Sequence, residues 1–199
     1  MKTISRATID SYPRRYRASL INCLSGPKAP VLIGTEGQYG RNLALFNSVF
    51  HVGANPALIG MVSRPHTVTR HTLEHILETK AWTINHIHGD ILAQAHQTSA
   101  KYEQSEFEAV GLSAEYSHGA KVPYVAQSRC KILCSYVSHY PIKENGTIII
   151  VGSIDEVVLA EESINEHGEV LFGSDHLCSI GLNNYYSIEY LSRKEYAKV

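Results

Sequence analysis

The sequence predicts a mainly β fold, a barrel of short strands decorated by a few helices. Two short apolar runs bounded by glycine or proline, Val31–Thr35 and Ala57–Val62, are typical of buried strands. Segments of alternating polarity and one strong hairpin signal add further strands. Because few helical segments separate these strands, the pattern favours an all-β barrel over a doubly wound parallel sheet.

Two segments alternate in polarity with the period of a strand. The first is Ala81–His88 and the second is Arg129–Val137. The second is followed by Asn145-Gly146 and then by the β-branched run Thr147–Val151. Two strand patterns around an Asn-Gly pair are the strongest short-range signal for a hairpin, so we predict one here.

Helical signals are fewer. Apolar residues at helical spacing predict a helix over Thr72–Lys80 with one face packed on a sheet. Ser105 and Glu108 have the spacing of a capping box, and Gly111 is placed to end the short helix that would follow. The region Tyr12–Cys23 is ambiguous and could hold another helix.

The composition is that of an ordinary globular protein, and we expect one domain over residues 1–199. The chain carries 18 Lys and Arg against 19 Asp and Glu, so we expect no surface for a nucleic acid or an anionic membrane. No apolar run approaches the ~20 residues of a membrane span, and the first residues lack the apolar stretch of a secretory signal. We expect a cytoplasmic protein whose four cysteines form no disulfide framework.

Common cofactor and nucleophile motifs are absent from the sequence, and one metal-binding pattern is present. There is no dinucleotide-binding glycine motif after a strand, no P-loop and no nucleophile elbow. Residues 71–75 spell H-x-x-E-H, in which His71 and His75 would bind Zn²⁺ and Glu74 would act as a general base. The match is weakly specific in a chain with 11 histidines, and no second ligand-bearing helix follows. The alternative is an ordinary helix start with two histidines on its polar face.

The start of the same helix also predicts an anion site. The strand over Ala57–Val62 leads into Ser63 and Arg64 and, after a short loop, into Arg70 and Thr72. A helix N-terminus exposes unpaired N–H groups and a partial positive charge, which favour a phosphate. Two arginines and two hydroxyls beside it would add further donors. The alternative is a capped helix with two solvated arginines.

Several short segments, in their order and spacing, resemble one known family. They are Leu32-Ile33-Gly34-Thr35, Asn42-Leu43-Ala44-Leu45-Phe46-Asn47-Ser48, Asn55-Pro56, Ser63-Arg64-Pro65, Arg70-His71-Thr72, Ala95-His96-Gln97-Thr98-Ser99-Ala100, Ser105-Glu106-Phe107, Gly111-Leu112 and Tyr196-Ala197. From about Tyr16 to Tyr196 the chain is similar to the flavin reductase-like, FMN-binding split-barrel family, and within it to the flavoredoxin-like members.

This resemblance implies a Greek-key split barrel, a homodimer, and FMN bound without a covalent link near the dimer interface. It implies that the segment Asn42–Ser48 lines the isoalloxazine ring and ribityl chain, and that residues 63–64 and 70–72 hold the phosphate. The expected cofactor-binding residues are Asn42, Leu43, Ala44, Phe46, Asn47, Ser48, Ser63, Arg64, Arg70, His71 and Thr72. Asn47 and Asn183 stand where the family pattern leads us to expect Ser and Asp.

Three functions are compatible with the sequence. The first is an FMN-dependent oxidoreductase with NAD(P)H as electron donor, which needs no catalytic acid or base and passes electrons to a small molecule or a partner protein. The second is a flavin-binding electron carrier that turns over NAD(P)H poorly. The third is a zinc hydrolase built on His71, Glu74 and His75. Flavin retention that depends on Arg64 and Thr72 would separate the first two from the third.

Overall fold

The structure, a computed structural model, describes residues 1–67 and 70–197. The helices are α1 (Arg6–Ser11), α2 (Arg14–Leu24), α3 (His71–Thr79), α4 (Leu92–Gln97) and α5 (Glu106–Val110). The strands are β1 (Val31–Gly37), β2 (Gly40–Phe46), β3 (Val49–Ala54), β4 (Ala57–Ser63), β5 (Ala81–His86), β6 (Ala114–Glu115), β7 (Tyr124–Val125), β8 (Cys130–Pro141), β9 (Ile148–Leu159), β10 (Leu177–Ile180) and β11 (Asn184–Ser187). No helix within the described ranges combines the length and apolarity needed to cross a membrane.

Seven strands form one antiparallel sheet in the order β2-β1-β5-β8-β9-β4-β3. β2 and β3 lie at opposite ends of this order, although only Asn47 and Ser48 connect them along the chain. Laid flat, seven strands would be about 29 Å wide, whereas three peptide steps span at most about 11 Å. The sheet therefore curls until its ends meet, which confirms the predicted mainly β barrel. We call the meeting of β2 and β3 at Asn47 and Ser48 the seam.

The predicted hairpin is formed by β8 and β9. These two strands are 12 residues long and pair from Cys130 with Leu159 to Pro141 with Ile148. Gly146 in the turn has φ +73°, a left-handed conformation that glycine adopts without strain. Two shifts of register along the pair mark bulges, which bend and twist the strands as a closed sheet requires.

Alternation along β1 divides the apolar core into two clusters. The inner cluster consists of Val31, Ile33, Met61, Leu73, Ile76, Trp82, Ile84, Cys134 and Ile150. The outer cluster consists of Leu32, Leu43, Ile87, Ile91, Ala95, Phe107, Leu112 and Val125. Because the inner cluster joins strands that are far apart in the sheet order, such as β1 and β4, it fills the inside of the barrel. The helix α3 packs on the inner cluster, and α4 and α5 pack on the outer one.

The helix predictions are confirmed with one exception. α3 occupies the segment predicted from periodicity, α2 lies in the region that the sequence left ambiguous, and Gly111, with φ +73°, ends α5. The capping box is wrong, because the Ser105 side chain makes no hydrogen bond to the start of α5. Both early carboxylates of α5 face β2 instead: Glu106 accepts from the backbone N–H of Leu43 at 3.0 Å, and Glu108 pairs with Arg41 at 3.3 Å.

Candidate functional site

Two adjoining cavities open at the seam. The larger, of about 620 Å³, lies between β2, the end of β4, the start of α3 and the residues that follow α4. The smaller, of about 200 Å³, is bounded by the hairpin of β10 and β11. Five residues line both cavities: Leu45, Asn47, Arg64, Ser99 and Leu182.

Ten of the eleven residues predicted from the resemblance line the larger cavity. They are Asn42, Ala44, Phe46, Asn47, Ser48, Ser63, Arg64, Arg70, His71 and Thr72. Leu43 is the exception: it is fully buried in the outer cluster, because alternation along β2 turns it away from the side of Asn42 and Ala44. The Leu43 side chain therefore belongs to the core, and the expected contact of Leu43 with the cofactor stays a prediction.

One wall of the larger cavity was not predicted from the sequence. This wall is formed by the residues after α4, namely Thr98, Ser99, Ala100, Lys101 and Tyr102. Residues 98–100 were among the segments that resemble the family. However, no motif or charged pattern in 98–102 indicated a binding site. Leu45 of β2 and Val62 of β4 also line the cavity, and four residues from distant parts of the chain complete the lining: Asn22, Glu106, Thr147 and Leu182.

The start of α3 gives the larger cavity its positive character. Arg70 precedes the helix in an extended conformation (φ −132°), and its Nε donates to the carbonyl of Pro65 at 2.9 Å. The first N–H groups of the helix have no partner within it and carry a partial positive charge. Arg64 and Lys101 add two more cations, whereas the carboxylate of Glu106 already accepts from the backbone. The arrangement favours an anion.

A buried hydrogen-bond network orients the hydroxyl of Thr72. Asn42 Nδ2 donates to Thr72 Oγ1 at 3.0 Å and to Thr35 Oγ1 at 3.2 Å. His75 Nδ1 lies 3.3 Å from Thr35 Oγ1, so the Thr35 hydroxyl can donate to this ring nitrogen. Because Thr72 Oγ1 is occupied as an acceptor, its hydrogen is left to donate to a ligand in the cavity.

The two histidines of the H-x-x-E-H pattern are not arranged as metal ligands. The rings of His71 and His75 are stacked, with centroids 6.0 Å apart and planes inclined by 17°. Because imidazole lone pairs lie in the ring plane, two parallel rings cannot converge on one ion. Burial and the neighbouring His71 lower the pKa of His75, which keeps it neutral. Within residues 1–67 and 70–197, no group of three or more His, Cys, Asp or Glu is placed to hold a metal.

The hairpin of β10 and β11 is fastened to the barrel beside the smaller cavity. Asn47 Nδ2 donates to the carbonyl of Gly181 at 2.7 Å. His96 Nδ1 lies 2.8 Å from the hydroxyl of Tyr185. Asn47 and Asn183, the two residues that depart from the family pattern, both line this cavity. The smaller cavity therefore contains both positions at which the resemblance led us to expect a different residue, and Asn47 lines the larger cavity as well.

Comparisons with known proteins agree with this geometry. The model of the flavin reductase like domain matches residues 25–181. A proposed flavin reductase with a split barrel domain from Shewanella frigidimarina is 40% identical, with a TM-score of 0.93 and coverage of 99% of this chain and 100% of that one. A search of curated proteins found no match.

Two more distant structures have the same fold. Nitrilotriacetate monooxygenase component B from Bacillus cereus is 18% identical, with a TM-score of 0.83 and 98% coverage of both chains. Flavoredoxin of Desulfovibrio vulgaris is 18% identical, with a TM-score of 0.71 and coverage of 86% of this chain and 92% of that one. The curled sheet is thus a split barrel, and the chain belongs to the flavin reductase-like family.

Proposed function

We propose that the larger cavity binds FMN and that the protein is a flavin-dependent oxidoreductase reduced by NAD(P)H. The observation that carries the proposal is the oriented Thr72 hydroxyl at the start of α3, beside Arg64 and Arg70 in one cavity. The cavity volume of about 620 Å³ lies within the range of about 300–1,000 Å³ usual for small-molecule and cofactor sites. Membership of the flavin reductase-like family supports a flavin as the ligand.

The residues of the cavity fit the two ends of FMN. Ser63, Arg64, Arg70 and Thr72 would hold the phosphate together with the free N–H groups of α3. The segment 44–48 along β2 and the seam would line the isoalloxazine ring and the ribityl chain. When bound, a flavin supplies the two-electron chemistry, while the protein binds and orients it. Hydride transfer needs no acid or base from the protein, and we assign none.

We also propose that the protein is a cytoplasmic homodimer. Large apolar residues are exposed on β3 and β8, including Phe50, Val52, Val137 and Tyr140. A second copy of the chain could cover them. The electron acceptor would be a small molecule or a partner protein.

The phosphate site can be tested by comparing two ligands that differ only in the phosphate. The Thr72→Val variant should weaken FMN binding at least tenfold, since a hydrogen bond to a charged group contributes about 1.5–3 kcal/mol, and should leave riboflavin binding unchanged. Quenching of flavin fluorescence measures both affinities. Thr79→Val is the matched control, because the Thr79 hydroxyl donates to the carbonyl of His75 within the same helix, away from the cavity. Equal losses for FMN and riboflavin would contradict the proposed phosphate site.

The donor can be tested by visible spectroscopy of the FMN-loaded protein without oxygen. Bleaching of the flavin bands by NADH or NADPH is the expected result and would identify the donor. Bands that resist both nucleotides but bleach with dithionite would instead indicate an electron carrier. A wild-type protein that fails to bind added FMN would overturn the proposed function.

A further inference from the structure

We propose that the smaller cavity binds a small organic carboxylate, about the size of one substituted ring. Five residues line this cavity and not the larger one: Pro30, His96, Ser179, Asn183 and Tyr185. Its volume of about 200 Å³ corresponds to roughly seven water molecules at about 30 Å³ each. This space suits a ring with an acid group and is too small for a nucleotide.

The charge of the smaller cavity selects an anion. No Asp or Glu lines it, and Arg64 supplies its full positive charge. In the part of the chain that the structure describes, Arg64 forms no ion pair. A guanidinium is a planar fork that matches a carboxylate with two parallel hydrogen bonds. Its five N–H donors lie on more than one edge, so Arg64 can serve ligands in both cavities.

The remaining walls select an organic molecule over an inorganic ion. Pro30, Leu45 and Leu182 give apolar surface against which a ring can pack, and a bare phosphate would not use it. Tyr185 can donate to His96 Nδ1 across 2.8 Å, which leaves the Tyr185 oxygen as an acceptor and the His96 Nε2 hydrogen as a donor. This pair can bind a polar substituent on the ring.

The two cavities adjoin, so the carboxylate would lie next to the cofactor if FMN occupies the larger one. That relation rests on the proposed function, whereas carboxylate binding itself does not. The proposal therefore concerns a second ligand of the same protein, and it can be tested by binding alone.

The test uses benzoate and its neutral analogue benzamide, titrated by calorimetry into FMN-saturated protein. We expect benzoate to bind at least tenfold more tightly than benzamide, and Arg64→Gln to abolish this preference.

Asn183→Trp should fill the cavity and weaken benzoate binding at least tenfold without changing the Kd for FMN. Tyr185→Phe should weaken benzoate binding several-fold. Asn184→Trp, at an exposed neighbour that lines neither cavity, is the matched control.

Three results would overturn the proposal: equal binding of benzoate and benzamide, displacement of benzoate by excess FMN, or unchanged benzoate binding in both Asn183→Trp and Tyr185→Phe. If the wild-type protein does not bind FMN, the proposed function fails on its own. The benzoate titration is then run on the flavin-free protein with inorganic phosphate present to occupy the start of α3. The same variants then test whether the smaller cavity of the flavin-free protein binds benzoate.

Discussion

The inner and outer clusters use the same strand, β1, but support different parts of the molecule. The inner cluster joins five strands to α3 through Trp82 and Ile76, so it holds the barrel closed and sets the position of α3. The outer cluster joins β1 and β2 to α4 and α5 through Ala95 and Phe107. Two cavity walls therefore depend on different packing: α3, which carries the proposed phosphate site, packs on the inner cluster, and α4, which precedes the other wall, packs on the outer cluster.

On the outer side, buried hydrogen bonds also hold an irregular segment of the chain. Thr83 Oγ1 donates to the carbonyl of Pro123 at 2.6 Å. Asn85 Nδ2 donates to the carbonyl of Leu32 at 3.0 Å, and its Oδ1 accepts from the N–H of Val125 at 2.8 Å. These buried bonds fix a loop that has little regular structure. Apolar side chains of five strands pack together inside the barrel, whereas the irregular segment on the outer side is held mainly by hydrogen bonds.

The largest expected effect comes from overpacking the inner cluster. A Cβ at Gly152 would lie 2.1 Å from Trp82 Cη2 and 2.8 Å from the carbonyl oxygen of Ser135. Gly152→Ala should therefore lower the free energy of unfolding by about 3 kcal/mol or more, measured by urea denaturation. Gly89→Ala is the control, because nothing lies within 4 Å of its added Cβ. If the two variants were equally stable, the inner cluster would not be as closely packed as we describe.

Truncating a buried side chain of the outer cluster should lower both the stability of the protein and its affinity for FMN. Phe107 is 1% exposed, and Phe107→Ala should cost about 3 kcal/mol by leaving a cavity. Because Phe107 follows Glu106 on α5, we also expect weaker FMN binding in the fraction that remains folded. Fluorescence titration at low temperature measures the affinity for FMN. Phe107→Leu serves as a milder variant, because it removes less of the buried side chain. Unchanged FMN affinity would show that the outer cluster does not position the cavity wall.

The smallest expected effect on stability comes from the titration of His86, which lies at the end of β5 and belongs to neither cluster. Burial lowers the pKa of His86 to about 4, with the charge of His176 as a second cause, and its ring stacks on Phe172 at 5.3 Å. The unfolded chain, with a pKa of about 6.5, binds the proton more readily than the folded one, so stability falls as the pH falls from 6.5 towards 4. Between pH 7 and pH 5 we expect a loss of about 2 kcal/mol from this group. Urea unfolding at both pH values should show that His86→Gln loses less stability between pH 7 and pH 5 than the wild-type protein does. An equal loss in the two proteins would show that His86 is not the group responsible.

The sequence predicted the features that depend on local pattern. The strand at Val31, the hairpin around Gly146 and the helix from His71 all follow from periodicity or turn chemistry, and all are present. The same alternation could have placed the Leu43 side chain in the core, since the side chains of its neighbours Asn42 and Ala44 point to the opposite side. The resemblance selected the segment without resolving which residues face the cavity.

Other features depend on contacts between distant segments and leave no local signal. The bonds from Asn42 to Thr72 and Thr35 join residues 30 and 7 positions apart. Glu108, the carboxylate of the expected capping box, pairs instead with Arg41 of β2, 67 positions earlier in the chain, so the spacing from Ser105 to Glu108 was misleading. Buried Asn85 resembles an ordinary polar strand residue until its partners are known.

The attachment of the C-terminal hairpin to the barrel has a consequence for protein synthesis. Asn47 bonds to Gly181, 134 positions later, and Lys28 and Ser179 exchange backbone hydrogen bonds. A ribosome releases β2 and α3 long before it releases this hairpin. The ribosome therefore releases most of the residues that line the larger cavity early, while the smaller cavity must wait for the hairpin of β10 and β11 to emerge. Until then, the groups meant for that cavity are exposed to the solvent and to chaperones.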